Sequence, residues 1–314
     1  MGQKKRIKLF ILLLLLVSCQ PSSSKLKVPL QWIPGQAVAV LIIDWPQAAT
    51  DEKLMRIVNG NQLKQTLDSL HINSATIEQV IVFSNLHENS QTEGIIISGS
   101  FKTNDLIKYL SAKQWQQLQY RKHLVYQQPG SDFCIAPIRS PRSILLGSKS
   151  TVEQTIDAKL NLQPGLAEIE PFNRLFRNTY NKRAPVSMVV AFPQNFQDIG
   201  NAALNISSSL LDLAGLSPLA KLLDAVGFAR GIGFSIFHKQ NAYPVELMGI
   251  MRNEETAANI AGTINLLKGL TALVPQKNLS FSEREAMESF KTLSVKRDKD
   301  ILSITLIMRS ADLR

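Results

Sequence analysis

Cysteine is nearly absent from this sequence: Cys19 and Cys134 are the only two in 314 residues. Two thiols exclude a disulfide framework and every zinc centre built from three or four cysteines. Histidine is also scarce. His71, His87, His123 and His238 lie far apart, none in H-x-H or H-x-x-x-H spacing, and no C-x-x-C is present, so no metal centre has a local signature. There is no G-x-S-x-G elbow and no S-x-x-K with its partner motifs. The glycines of Gly227-Phe228-Ala229-Arg230-Gly231-Ile232-Gly233 have neither phosphate-loop nor dinucleotide spacing. They read as a glycine-assisted turn into a strand. No apolar run reaches the roughly 20 residues that cross a bilayer, and no long basic run invites nucleic acid.

What is present begins at the N-terminus. Lys4, Lys5, Arg6 and Lys8 precede a short apolar run, Leu9 to Val17, and the cut region reads Leu16-Val17-Ser18-Cys19. Basic start, short apolar core and small residue before a cut are the parts of an export signal. The segment resembles the lipobox of bacterial lipoproteins. The resemblance covers the first twenty or so residues and implies removal of residues 1–18, a diacylglycerol thioether on Cys19, and acylation of its amine. Each buried methylene contributes about 0.8 kcal/mol, and more than one chain makes anchoring stable. Gln20 after the cysteine, in place of Asp, implies outer-membrane sorting in a bacterium with two membranes. Residues 19–36 then read as the lipidated cysteine and its tether, with Gln20-Pro21-Ser22-Ser23-Ser24-Lys25-Leu26-Lys27 as a solvated, poorly ordered stretch. Eight such residues reach at most about 28 Å, so the body is expected close to the membrane surface.

Residues 1–18 hold four of the cations and no acid, so their removal takes the formal charge from +10 to +6. The body is then moderately basic, and its excess lysine reads as a solvated surface. With Cys19 lipidated, Cys134 has no disulfide partner. It sits in the strand-like run Phe133-Cys134-Ile135-Ala136, with no His or Lys beside it, and reads as a buried, inert thiol.

One order of elements occurs twice. Residues 37–150 open with the apolar run Ala37 to Ile43, and residues 185–314 with Val186 to Phe192. Continuous β-type runs suit central strands. Each is followed by a helical stretch (51–70 and 195–226), a strand pair (Ile77–Ser84 with Gly94–Phe101; Ala229–His238 with Pro244–Arg252), a helix (104–118; 254–274) and a closing hairpin with a basic turn. Ser98-Gly99-Ser100-Phe101-Lys102-Thr103-Asn104-Asp105 parallels Met248-Gly249-Ile250-Met251-Arg252-Asn253-Glu254-Glu255, with Thr103 and Asn253 as helix caps. Residues 151–184 read as a linker with short helices. The expected fold class is α+β: a tandem duplication of a ferredoxin-like βαββαβ unit with an extra terminal hairpin, helices packed on mainly antiparallel sheets.

Two places invite a functional reading. Asp44-Trp45-Pro46 puts a carboxylate at a strand end, where a cap or turn role is the simpler reading; Asp51 and Glu52 suit the helix start that follows. The leucine-rich stretch 206–226 is broken by Gly215 and Pro218. It is either a bent helix of the core or a surface for an apolar ligand or partner, offering Leu211, Leu216, Leu219 and Leu223. No catalytic residue, metal or cofactor is expected. The leading expectation is a lipid-anchored envelope protein that binds or scaffolds a partner protein. The alternatives are a binder or carrier of a lipid or lipopeptide, and an envelope hydrolase with an unrecognised site.

Overall fold

The computed structural model describes residues 26–58, 60–87, 90–139, 142–180, 183–191, 229–240, 242–271, 288 and 291–309. In chain order the first half carries β1 (Ala37–Asp44), α1 (Trp45–Ala48), α2 (Glu52–Ile57), α3 (Gly60–Ser69), β2 (Ile77–His87), β3 (Ser90–Gly99), α4 (Thr103–Ala112), β4 (Gln116–Tyr120), β5 (His123–Gln127), β6 (Phe133–Ile138) and β7 (Ser143–Ser148). Then come α5 (Lys149–Lys159) and α6 (Phe172–Thr179). The second half carries β8 (Val186–Ala191), β9 (Ala229–Ile236), β10 (Ala242–Met251), α7 (Glu254–Thr271), β11 (Ser294–Asp298) and β12 (Ile301–Arg309).

These strands form one antiparallel sheet, in the order β11-β12-β10-β9-β8-β1-β2-β3-β7-β6-β5-β4. The fold is therefore α+β, as expected, but the strand order departs from a ferredoxin-like unit. There the helix-joined strands run parallel, which requires the helix to carry the chain back along the sheet. Here α1, α2 and α3 connect β1 to β2 without doing so, and the two strands are antiparallel neighbours, Val40 opposite Phe83 and Ile42 opposite Ile81. The two opening runs meet at the middle of the sheet, where β1 pairs β8 from Ala39–Val190 to Ile43–Val186. This is why both are almost wholly apolar, Ser187 being satisfied by Ser235: each is covered on both faces.

One face of the sheet is covered by α1, α3 and α4 over the first half, and by α2 and α7 over the second. The other face carries α5, α6 and the turn Leu30–Trp32, whose core joins Phe83 and Ile96 of the first half to Val189 and Ile250 of the second. Val28, Leu30, Trp32 and Ile33 belong to that core. The stretch read as the end of a tether is thus part of the body from Val28 onward. Lys27 is clipped to β2: its N–H donates to Gln79 Oε1 (3.1 Å), and its ammonium pairs with Glu78 (2.8 Å).

Gly231 and Gly233 belong to the strand expected over Ala229–His238 and not to a turn leading into it. They lie within β9, opposite Ala191 and Val189 of β8, where α6 comes down on the sheet. A Cβ on Gly233 would fall 2.1 Å from Thr179 Oγ1, and one on Gly231 3.0 Å from Leu175 Cδ2. The missing side chains are what let the helix approach. The first half also holds a hairpin, β4–β5, whose first three residues fall within the helix expected over 104–118. α4 ends at Ala112, Gln114 takes a left-handed φ of 58°, and Gln116 starts β4. Thr103 is the first helical residue and not a cap, while Asn253 is a cap, its Oδ1 accepting from Thr256 N–H at 2.7 Å.

Candidate functional site

Asp51 is the most heavily engaged carboxylate among the described residues. Its Oδ1 caps α2, accepting from the N–H groups of Lys53 (2.9 Å) and Leu54 (3.2 Å). Its Oδ2 accepts from Tyr243 O–H at 2.8 Å and lies 3.2 Å from His238 Nδ1. The His238 ring stacks flat on Tyr243, with centroids 5.2 Å apart and planes 9° apart, and its Nε2 is 2.7 Å from the Gln240 carbonyl oxygen. Asp51 and Tyr243 are buried, while the His238 edge is half exposed. The cluster thus ties the start of α2 in the first half to the β9–β10 hairpin in the second.

Its chemistry is that of a clasp. Both oxygens of Asp51 are taken up by donors of the chain itself, and a carboxylate so engaged has little capacity left to act as a base. Burial, and then the hydrogen bond to Asp51, push the Tyr243 phenol up to about 12, so it stays a neutral donor beyond the pH at which an ordinary phenol ionises. The sequence reading of Asp51 as a helix-start residue holds, but it covers only one of the two oxygens. No spacing rule reaches the second, whose tyrosine lies 192 residues away.

Two more carboxylates work the same way. Asp300 takes a two-pronged bond from Arg174 of α6, Nη1 to Oδ2 at 2.9 Å and Nη2 to Oδ1 at 2.5 Å, and the guanidinium holds the carboxyl below its ordinary value. The basic turn of the last hairpin is therefore not simply a solvated tip: its acid anchors the hairpin to a helix on the sheet. Asp157 of α5 accepts from Tyr120 O–H at 2.7 Å and lies 3.4 Å from Arg121 Nε, pinning the β4–β5 turn. Asp44 caps α1 through Gln47 N–H at 3.3 Å, the cap role read for it. Cys134 is fully buried in β6, and burial pushes its thiol up to about 11. This is the inert environment expected of it.

Cys19, Leu211, Leu216, Leu219 and Leu223 lie outside the described residues. Among the described residues no three of His, Cys, Asp and Glu come together in a way that could hold a metal ion, and no helix is long and apolar enough to cross a membrane.

No family model and no curated protein matches the chain. Solved structures of TP0453 in crystal forms I and III are similar in fold, each with a TM-score of 0.49. They are 11% and 12% identical to the chain, covering 91% of it and 94% and 96% of their own lengths.

Proposed function

We propose that this chain is a lipid-anchored protein of the bacterial envelope whose duplicated α+β body binds or scaffolds a partner protein without catalysing a reaction. The observation that carries the reading is the order at the N-terminus: basic cluster, short apolar run, then Leu16-Val17-Ser18-Cys19. Lys27 is held on β2 and Val28 is buried. The span from Cys19 to the body is therefore seven intervening residues, Gln20 to Leu26, a reach of at most about 28 Å. A body so closely leashed works at the membrane surface. Gln20 directs it to the outer membrane where there are two. The non-catalytic part is supported by the use of Asp51, Asp157 and Asp300 as clasps between elements.

The duplication is supported by the course of the sheet. From the β1–β8 seam the first half runs outward as β1-β2-β3-β7-β6 and the second as β8-β9-β10-β12-β11. In both, a helix follows the third strand and the last strand returns to pair with that third strand. Gly99 is the last residue of β3, whereas Gly249 lies two residues inside the end of β10, paired with Ile232 and Leu302; Lys102 and Arg252 follow them before the helix. The two glycines differ in surroundings: a Cβ on Gly99 would meet the Thr76 carbonyl at 2.1 Å, one on Gly249 the flexible end of Met251 at 2.5 Å.

Labelling with radioactive palmitate tests the anchor. The wild-type chain takes up label and is cleaved; Cys19→Ser takes up none and accumulates with its signal attached. Equal labelling of the two removes the lipoprotein reading.

A further inference from the structure

The sheet ends in two edges of opposite kind. An edge strand exposes unpaired N–H and C=O groups, and natural proteins guard it with charge, proline or a bulge. The β11 edge reads Ser294-Val295-Lys296-Arg297-Asp298 and is guarded by its charges. The β4 edge reads Gln116-Gln117-Leu118-Gln119-Tyr120, with no charge and no proline, and its register with β5 has no bulge. Among the described residues no strand pairs with its outer side.

The turn between β4 and β5 settles which groups face outward. It has two residues, Arg121 and Lys122, both left-handed at φ 47° and 65°, and Tyr120 faces His123 across it. The residues flanking such a turn exchange hydrogen bonds, and the antiparallel ladder alternates from there. Gln116, Leu118 and Tyr120 therefore turn their backbone groups to β5. Gln117 and Gln119, both exposed, turn their N–H and C=O groups to the open edge.

We infer that β4 is the pairing edge of a homodimer, a second copy adding its own β4 antiparallel about a two-fold axis at Leu118. The pairing sets Gln117 opposite the second copy's Gln119, where their outward backbone groups bond and their side-chain amides lie side by side. Leu118 meets Leu118 on the axis. Leu118 is half-buried against the core under α5, so the contact continues that apolar layer from one copy into the next. No charge meets a charge within the paired segment, and Arg121 just beyond it is turned to Asp157 of its own chain. The same operation on β11, centred on Lys296, would oppose lysine to lysine. That self-complementarity is the reason to assign the edge to a second copy. The pairing does not depend on the lipid anchor.

Sedimentation of the full chain in density-matched detergent, with oxidative cross-linking, tests the assignment. Leu118 falls on a non-hydrogen-bonded pair, where Cα atoms stand about 4.5 Å apart, within reach of a disulfide. Leu118→Cys should form a covalent dimer above the background of the unsubstituted chain, and Gln117→Cys or Gln119→Cys far less, because neither faces itself. Gln119→Pro removes an outward N–H and none that bonds β5. It should weaken association about tenfold or more while leaving the unfolding midpoint in place. Gln117→Lys with Gln119→Lys, which opposes lysine to lysine, should do the same and stands in if the proline variant does not fold. A wild-type chain that sediments as a monomer up to tens of micromolar overturns the inference. So does a dimer indifferent to these substitutions with Leu118→Cys uncross-linked, or β4 amides that become protected only when a different protein is added.

Discussion

At the residue scale, polar side chains here join elements that are remote in sequence, and the strength of each join follows from burial. Tyr243 shows this most directly. Its phenol is buried, donates to Asp51 at 2.8 Å, and is pushed from its ordinary value near 10 up to about 12. A group whose folded value is raised stabilises the protein below its unfolded value, and that contribution is lost as pH rises through the folded one. Tyr243 therefore contributes fully below about pH 10 and loses its contribution between about 10 and 12. Cys134, pushed from 9.0 to about 11 by burial, acts in the same sense in a slightly lower window. We expect Tyr243→Phe to cost about 1.5–3 kcal/mol near neutral pH, the worth of a hydrogen bond to a charged group. Its remaining stability should then fall less steeply than wild type between pH 10 and 11.5. Urea midpoints across that range decide it, and parallel curves for the two proteins would show that the phenol does not couple to folding. Asp51 illustrates what one sequence can and cannot disclose. A carboxylate just before Glu52-Lys53-Leu54 announces a helix cap. The tyrosine and histidine that occupy its other oxygen belong to a hairpin whose return to this point is decided by the whole sheet.

At the element scale, periodicity located most of the strands because they are apolar. The runs beginning at Ala37, Val186, Phe133 and Ser143 stand where the reading put them. It failed where a strand is polar. Gln116-Gln117-Leu118-Gln119-Tyr120 carries no apolar alternation, so the sequence gives no reason to end the preceding helix before residue 118. The actual stop is the left-handed Gln114, a residue type with no special turn signal. Gly231 and Gly233 fall in the strand expected over Ala229–His238, but the reason for glycine there is not legible. Paired glycines suggest a turn by local rules, and only the helix resting on them reveals that they are there for closeness. That closeness is testable. Gly233→Ala drives a Cβ to 2.1 Å from Thr179 Oγ1 and 2.6 Å from its Cγ2, on a helix residue that is itself buried. Overpacking of this kind costs about 1–3 kcal/mol. Gly231→Ala, whose nearest neighbours are the movable end of Leu175 and the Val190 carbonyl oxygen, both at 3.0 Å, should cost less. Urea unfolding of the two variants measures the difference. An equal loss would mean that strand propensity, and not the seat of α6, sets the requirement for glycine.

At the scale of the whole molecule, the sequence offers two stretches of similar element order, but not the way they join. Strand order and handedness of return are properties of the assembled sheet, and the same list of elements serves a ferredoxin-like unit or the antiparallel course found here. What the assembled sheet adds is continuity. The β1–β8 seam is a full ladder, the core beneath α5 and α6 takes residues from both halves, and the Asp51–Tyr243 and Arg174–Asp300 contacts cross between first half, linker and second half. Halves joined in this way cannot open independently without exposing apolar surface along the whole seam, so unfolding should be a single transition. The chain contains the probe for this. Trp45 and Trp115 lie in the first half and Trp32 in the shared core, so in a Trp32→Phe background fluorescence reports the first half alone, while far-ultraviolet circular dichroism reports both. The two should trace one coincident curve in urea. Val189→Asp, a charge placed in the shared core from the second half, should move the tryptophan curve as far as the dichroism curve, because an unpaired buried carboxylate costs several kcal/mol. A dichroism change that precedes the fluorescence change, or a Val189→Asp variant whose tryptophan transition stays in place, would mean that the seam joins two independent folding units.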